Sequence, residues 1–149
     1  MPERFDPFDL GNDSAFAAWK KTKIENHWAT QNLPAVRISD LAAPSEHERA
    51  ELSRRCRAVN FAVYETGEEA PDDVRRNLRG FCESLGLIIA EEHRSAGEGG
   101  IVALSPSDEP DKKGFIPYST KALNWHTDGY YNPPGKEIRA MALHCVRPA

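Results

Sequence analysis

The sequence predicts an α/β (α+β) fold in which helices flank short, mostly antiparallel strands. Three observations indicate this class. Segments with helical periodicity occur within the first 85 residues, short segments of alternating polarity lie between them, and turn-rich connections separate further short apolar segments in the rest of the chain. We therefore expect the helices to pack outside the first strands of a sheet structure.

Three segments have the features of helices, and they lie near residues 13–29, 45–57 and 72–85. The second begins with Ser45 and Glu48, which have the Ser-x-x-Glu spacing of a capping box. The third carries an apolar stripe at helical spacing and stops before a glycine, as helices often do. The stripe comprises Val74, Leu78, Phe81, Cys82 and Leu85, and the glycine is Gly86.

Short segments of alternating or continuously apolar residues predict strands. They are 35–41 (AVRISDL), 59–66 (VNFAVYET), 86–92 (GLIIAEE), 101–107 (IVALSPS), 115–119 (FIPYS) and 136–149 (KEIRAMALHCVRPA). In the last segment both faces of an extended chain are largely apolar. The sequence therefore predicts a strand there that is covered on both sides.

The composition favours a soluble domain with its own core, because 40% of the 149 residues are hydrophobic and 28% are charged. With a formal net charge of −4, neither nucleic acid nor an anionic membrane is expected as the main partner. No apolar run approaches the roughly 20 residues of a membrane span. The first residues lack the features of a signal peptide, so a cytoplasmic location is expected. The cysteines form no Cys-x-x-Cys pair and are expected to be buried free thiols: Cys56, Cys82 and Cys145.

The stretch LNWHTDGYYNPPG, residues 123–135, contains the clearest chemical motif. His126 and Asp128 are two positions apart, so on a strand their side chains would point to the same face. One imidazole and one carboxylate are two of the three ligands of the facial triad that binds Fe(II) in non-haem oxygenases. The spacing alone is also compatible with a polar spot on an ordinary strand.

The surroundings of the motif add a resemblance. The segment from Phe115 to Cys145, FIPYSTKALNWHTDGYYNPPGKEIRAMALHC, resembles the TauD/TfdA family of Fe(II)/2-oxoglutarate-dependent dioxygenases. The shared features are a Trp before His-Thr-Asp, aromatic residues after it, a Pro-Pro pair and a segment ending in Leu-His-Cys. The resemblance implies that His126 and Asp128 are catalytic iron ligands, that 2-oxoglutarate is a co-substrate, and that a small-molecule substrate is hydroxylated.

The resemblance also implies a fold, the amino-terminal part of a double-stranded β-helix (jelly roll) with flanking helices. We expect a single domain over 1–149, with a helix and strand region at 1–92 and the first barrel strands at 93–149. The family's distal His ligand, and the Arg and Thr that contact 2-oxoglutarate, have no counterpart in these 149 residues, so the cofactor-binding residues are unknown. A second polypeptide or missing residues would complete the site. The alternative is a non-catalytic binding or regulatory module derived from a truncated dioxygenase.

Other residues near the motif are candidates for contacting the substrate. Tyr118, Asn124, Tyr130 and Tyr131 are polar or aromatic, although the same residue types are common in turns and in ordinary packing. His144 could be an internal third ligand, but a histidine on an apolar face is more often a core residue whose polar atoms are satisfied. Surface positions are expected for His27, His47 and His93.

Overall fold

A computed structural model describes residues 6–67, 71–90, 100–122, 124, 126, 128, 129 and 131–147. The fold is mixed α/β. Its elements are α1 (Asp13–Thr30), β1 (Val36–Arg37), α2 (Glu46–Val59), β2 (Tyr64–Glu65), α3 (Pro71–Ser84) and a 3-10 helix (Ile116–Tyr118). The three predicted helices are thus confirmed to within two residues at each end.

The chain divides into two compact units, Met1–Ala70 and Pro71–Ala149. The first holds α1, α2 and both strands, and the second holds α3 and the candidate site. A single domain with a change of character at residue 93 stays a prediction. No helix in the part of the chain that the structure describes is long and apolar enough to cross a lipid bilayer.

The two strands of the first unit run parallel, with Val36 opposite Tyr64 and Arg37 opposite Glu65. Val36 and Ile38 are buried and Arg37 is exposed, as the alternation of the sequence predicts. The expectation of mostly antiparallel strands is wrong for this pair. Because α2 connects the strands, the chain returns to the end of the sheet from which it started, and the second strand runs in the same direction as the first.

Two side chains of α1 join it to the end of α2. The Lys23 ammonium donates a hydrogen bond to the Arg57 carbonyl, and the Asn26 amide donates to the Ala58 carbonyl at 3.5 Å. These carbonyls belong to the last turn of α2, where no intrahelical donor is left for them. The Asn60 N–H closes the same end by donating to the Cys56 carbonyl at 2.8 Å, in a left-handed conformation with φ 70°.

The start of α2 has the predicted capping box. The Glu48 N–H donates to Ser45 Oγ at 3.3 Å, and Glu48 Oε2 accepts from the Ser45 N–H at 2.6 Å. The other oxygen, Oε1, accepts from the Ser39 N–H at 2.7 Å, so the buried carboxylate also holds the segment that follows β1. The backbone hydrogen bond from Ser39, followed by those from Ser45, lowers the pKa of Glu48 to about 2.

The end of α3 confirms the predicted glycine stop. Gly86 has φ 88°, its N–H donates to the Glu83 carbonyl at 2.9 Å, and the Leu87 N–H donates to the Cys82 carbonyl at 3.0 Å. This pair of bonds is the Schellman motif, in which the left-handed residue is usually glycine. From the predicted apolar stripe, Val74 and Phe81 are buried.

The remaining strand predictions are not borne out. The described parts of four segments, 86–90, 101–107, 115–119 and 136–147, contain no strand, while residues 91, 92, 148 and 149 lie outside the described residues. A strand needs a hydrogen-bonded neighbour as well as a suitable pattern, and the pattern alone does not supply one. In 115–119, Pro117 lacks the N–H that a sheet would use, and it lies in the first turn of the 3-10 helix.

The expected cover over the last segment is also missing in the described residues. Met141 is 58% exposed and Leu143 is 69% exposed. The cysteines are free, as expected, but they are not buried as a group: Cys56 and Cys145 are exposed and Cys82 is half-buried. The expectation that the cysteines and both faces of this segment are buried is therefore wrong.

Candidate metal centre

The imidazole of His126 and the carboxylate of Asp128 lie side by side. His126 Nε2 is 3.5 Å from Asp128 Oδ1, and the two side chains are 44% and 41% exposed. Both groups can therefore be reached from solvent. The pair offers one nitrogen and one anionic oxygen to a shared ligand, and without such a ligand it can act as an ion pair when the histidine is protonated.

The second ring nitrogen of His126 is already engaged. Nδ1 is 2.8 Å from the backbone carbonyl of Asn124, an oxygen that can only accept, so Nδ1 carries the proton of this hydrogen bond. In a neutral imidazole the lone pair then lies on Nε2, the nitrogen next to Asp128. A backbone carbonyl that accepts from the distal nitrogen is one of the ways in which proteins orient a metal-binding histidine.

The separation of the two donor atoms fits a single metal ion. Donors bound to one ion at about 2.0–2.2 Å lie about 3 Å apart when the bonds are perpendicular, and up to roughly 4.4 Å apart when the bonds are collinear. The observed 3.5 Å between Nε2 and Oδ1 lies within this range. Imidazole and carboxylate together suit Fe(II), Mn(II) and Zn(II).

The pair does not lie on a strand, which corrects the structural basis of the prediction. Asp128 and Gly129 form a turn, and Gly129 is buried with φ 67°. The imidazole and the carboxylate therefore lie close together without the two-residue period of a strand. A Cβ atom at position 129 would lie 2.7 Å from Ile138 Cγ1, a distance that real contacts do not reach.

The described residues after Asp128 fold back on themselves, and we call residues 129 and 131–138 the return loop. Its first turn is closed by the Asn132 N–H, which donates to the Gly129 carbonyl at 2.9 Å. Its second turn is closed by the Lys136 N–H, which donates to the Pro133 carbonyl at 3.0 Å. The Pro-Gly order and a φ of 85° at Gly135 are those of a type II turn.

The other candidate residues take different positions. Asn124 contributes its backbone carbonyl to His126. Tyr131 is 69% exposed, and Tyr118 is half-buried, with its carbonyl accepting from the Ser107 N–H at 3.0 Å. Tyr130 lies outside the described residues. A role in substrate binding stays a prediction for all four.

A third protein ligand is not found among the described residues. Within them, no group of three or more His, Cys, Asp or Glu side chains is arranged to hold a metal ion. His144 is half-buried and has an interaction of its own. His27 Nε2 lies 3.3 Å from the Gln31 amide on α1, His47 is exposed on α2, and His93 lies outside the described residues.

The return loop was not predicted from the sequence as part of the site. Its signal was visible in NPPG, residues 132–135, since Pro-Gly marks a turn and Asn is common beside one. The contact between Gly129 and Ile138 could not be predicted from the sequence, because they are nine positions apart and the two turns bring them together.

Comparison with family models, with curated proteins and with solved structures found no match for this chain. A functional proposal for this chain therefore depends on the geometry of His126 and Asp128.

Proposed function

We propose that the chain provides His126 and Asp128 as two of the iron ligands of an Fe(II)/2-oxoglutarate-dependent dioxygenase of the TauD/TfdA type, acting on a small-molecule substrate. The observation that carries the proposal is the 3.5 Å separation of Nε2 and Oδ1, combined with the hydrogen bond that occupies Nδ1. Together they leave two compatible donor atoms next to each other.

The chemistry divides between the iron centre and the chain. Bound Fe(II), together with 2-oxoglutarate and O2, supplies the oxidising power for hydroxylating a C–H bond. His126 and Asp128 would hold the metal, and the hydrogen bond from Nδ1 to the Asn124 carbonyl places the lone pair of a neutral imidazole on Nε2. Tyr118, Asn124, Tyr130 and Tyr131 are the candidates for orienting the substrate.

The proposed fold of the site is the beginning of a double-stranded β-helix. Support comes from residues 141–145, where the half-buried side chains at 142 and 144 alternate with exposed ones at 141, 143 and 145. Such alternation is typical of an extended segment with one face covered. In the complete barrel, this segment would pair with further strands.

We propose that a second polypeptide, or residues beyond these 149, supplies the distal His and the Arg that pairs with 2-oxoglutarate. Arginine suits this role because its planar guanidinium binds a carboxylate through two hydrogen bonds. The exposed side chains of Met141 and Leu143 support an association at this segment, because burying them would remove apolar surface from water. The free cysteines suit a reducing compartment, which supports a cytoplasmic location.

The metal ligands can be tested with Mn(II), a redox-stable substitute for Fe(II) that accepts the same ligand types. In NMR spectra of the 149-residue chain, Mn(II) should broaden the signals of His126 and Gly129 first. His126→Ala and Asp128→Ala should remove this selective broadening of the neighbouring signals, and the exposed Asp108→Ala should preserve it. Equal broadening in wild type and both ligand variants would refute the proposal.

Catalysis can be tested by succinate formation from 2-oxoglutarate with Fe(II) and ascorbate. The chain alone should give none above a protein-free control, because two ligands and no Arg hold the metal and co-substrate too weakly. Turnover should appear when a co-purifying partner is added and should disappear with Asp128→Ala. A partner that binds without turnover or selective metal binding would favour the alternative, a non-catalytic binding or regulatory module.

A further inference from the structure

We propose that the return loop is a positioning device for Asp128 and that Asn132 is its central positioning residue. The inference rests on the proposed metal function and extends it to residues that bind neither metal nor substrate. Its starting point is the contrast between two neighbours: Asp128 is exposed, whereas the next residue, Gly129, is buried. The exposed Asp128 side chain is therefore attached beside a backbone position, Gly129, that is buried.

Asn132 joins the two turns of the return loop. Its N–H donates to the Gly129 carbonyl at 2.9 Å, and its side-chain Nδ2 donates to the Lys136 carbonyl at 2.9 Å. One residue therefore closes the first turn with its backbone and reaches across the second turn with its side chain. Because the first of these bonds ends on the residue after Asp128, it acts directly on the backbone that carries the ligand.

Gly129 and Ile138 hold the two ends of the loop together. A Cβ atom at position 129 would lie 2.7 Å and 2.8 Å from Ile138 Cγ1 and Cδ1, and 3.1 Å from Asn132 Nδ2. The absence of a side chain at 129 thus lets both Ile138 and the Asn132 amide approach the backbone. The positive φ of 67° at the same residue turns the chain away after Asp128.

A side-chain hydrogen bond also stabilises the second turn. The Gly135 N–H donates to Glu137 Oε1 at 2.9 Å, and this bond lowers the pKa of the Glu137 carboxyl. This bond is separate from the one that the Asn132 amide donates to the Lys136 carbonyl. The loop therefore forms a closed set of hydrogen bonds whose fixed end is next to Asp128.

The experiment compares Mn(II) affinity and a metal-free distance in the full 149-residue chain. Asn132→Ala removes the donated hydrogen bond, and Asn132→Asp keeps the side-chain volume but places an acceptor opposite the Lys136 carbonyl. Gly129→Ala introduces the clash with Ile138. Lys136→Ala is the matched control, since it changes an exposed side chain of the same loop and retains the carbonyl that Asn132 uses.

We expect Mn(II) binding to weaken roughly tenfold in Asn132→Ala, Asn132→Asp and Gly129→Ala, the lower end of the loss typical for groups that support a metal ligand. Lys136→Ala should bind as wild type does. Without metal, the nuclear Overhauser contact between the His126 ring and the Asp128 methylene should weaken in the same three variants. The circular dichroism of the three helices should be unchanged in all four, which separates local repositioning from unfolding.

The two readouts separate this inference from the proposed function. If wild type binds no Mn(II) but the loop variants still lose the His126–Asp128 contact, the metal proposal fails. The positioning role would then still stand. Wild-type affinity and an unchanged contact in both Asn132 variants would overturn the positioning role and leave the metal proposal intact.

Discussion

At the scale of the single residue, the Glu48 carboxylate joins the segment after β1 to the first turn of α2. Its two oxygens accept from the backbone of Ser39 and of Ser45, so each oxygen has a backbone donor. The sequence identified Glu48 through the capping-box spacing, which involves only its neighbours. The bond to Ser39 was not predictable, because it depends on how β1 approaches the helix.

The lowered pKa of Glu48 predicts how stability changes with pH. A carboxylate whose folded pKa of about 2 is below its ordinary 4.5 contributes stability that is fully present above pH 4.5 and is lost as the pH falls toward 2. Glu48→Gln should therefore lower the melting temperature at pH 7, and the difference from wild type should shrink through this window. Glu46→Gln, in the same turn, is the control. A difference that stays constant across this whole pH range would contradict an origin in the Glu48 charge.

The Asn132 amide shows a similar limit of sequence reasoning at the site. The His126–Asp128 pair was recognisable because the two residues are nearly adjacent in sequence and have distinctive chemistry. Asn132, Gly129 and Ile138 have no distinctive chemistry. Their proposed positioning role arises because two successive turns bring them close together.

At the scale of the element, the helices were predictable and most of the strands were not. Each helix carries its own start and stop signals, such as Ser45 with Glu48 or Gly86, and its hydrogen bonds are local. A strand takes its hydrogen bonds from a distant segment. Alternation in 136–147 indicated which residues share a face, but it could not show whether a neighbouring strand is present.

The C-terminus of α3 gives a matched pair of glycine substitutions. Gly86 has φ 88° with open space around its missing Cβ, so Gly86→Ala should cost roughly 1–2 kcal/mol from backbone strain alone. Gly80 lies within α3, also with open space and without a positive φ, so Gly80→Ala should stabilise the chain by about 0.5–1 kcal/mol. Urea unfolding of both variants would measure these values. Equal effects of the two changes would argue against the Schellman geometry.

At the scale of the whole molecule, exposed apolar side chains are a further property that the sequence did not predict. The two-sided apolar pattern of 136–149 predicted burial, yet Leu143 is 69% exposed. The sequence pattern shows how apolar each face of the segment is. Whether that face is buried depends on whether another part of the protein packs against it. In the proposed function, that cover is the polypeptide that completes the barrel.

This exposure predicts self-association of the isolated chain. Leu143→Lys together with Met141→Lys should shift the chain toward the monomer in light-scattering chromatography and leave its melting temperature unchanged, because neither side chain is buried. Leu10→Lys, at a fully exposed leucine of the first unit, is the matched control and should have no such effect. An equal shift in the control would show that association does not depend on the 141–143 segment.

The parallel pairing of β1 with β2 has a consequence for the order of folding. The two strands can meet only across the connection that contains α2, and closing a long flexible loop costs entropy before any contact compensates for it. A formed α2 of 14 residues is a rigid rod of roughly 21 Å that replaces much of this flexible chain. Helix formation takes about a microsecond or less, so α2 can form first and carry the start of β2 toward β1. The pairing of β1 with β2, which includes the buried Val36, is therefore expected to follow the formation of α2.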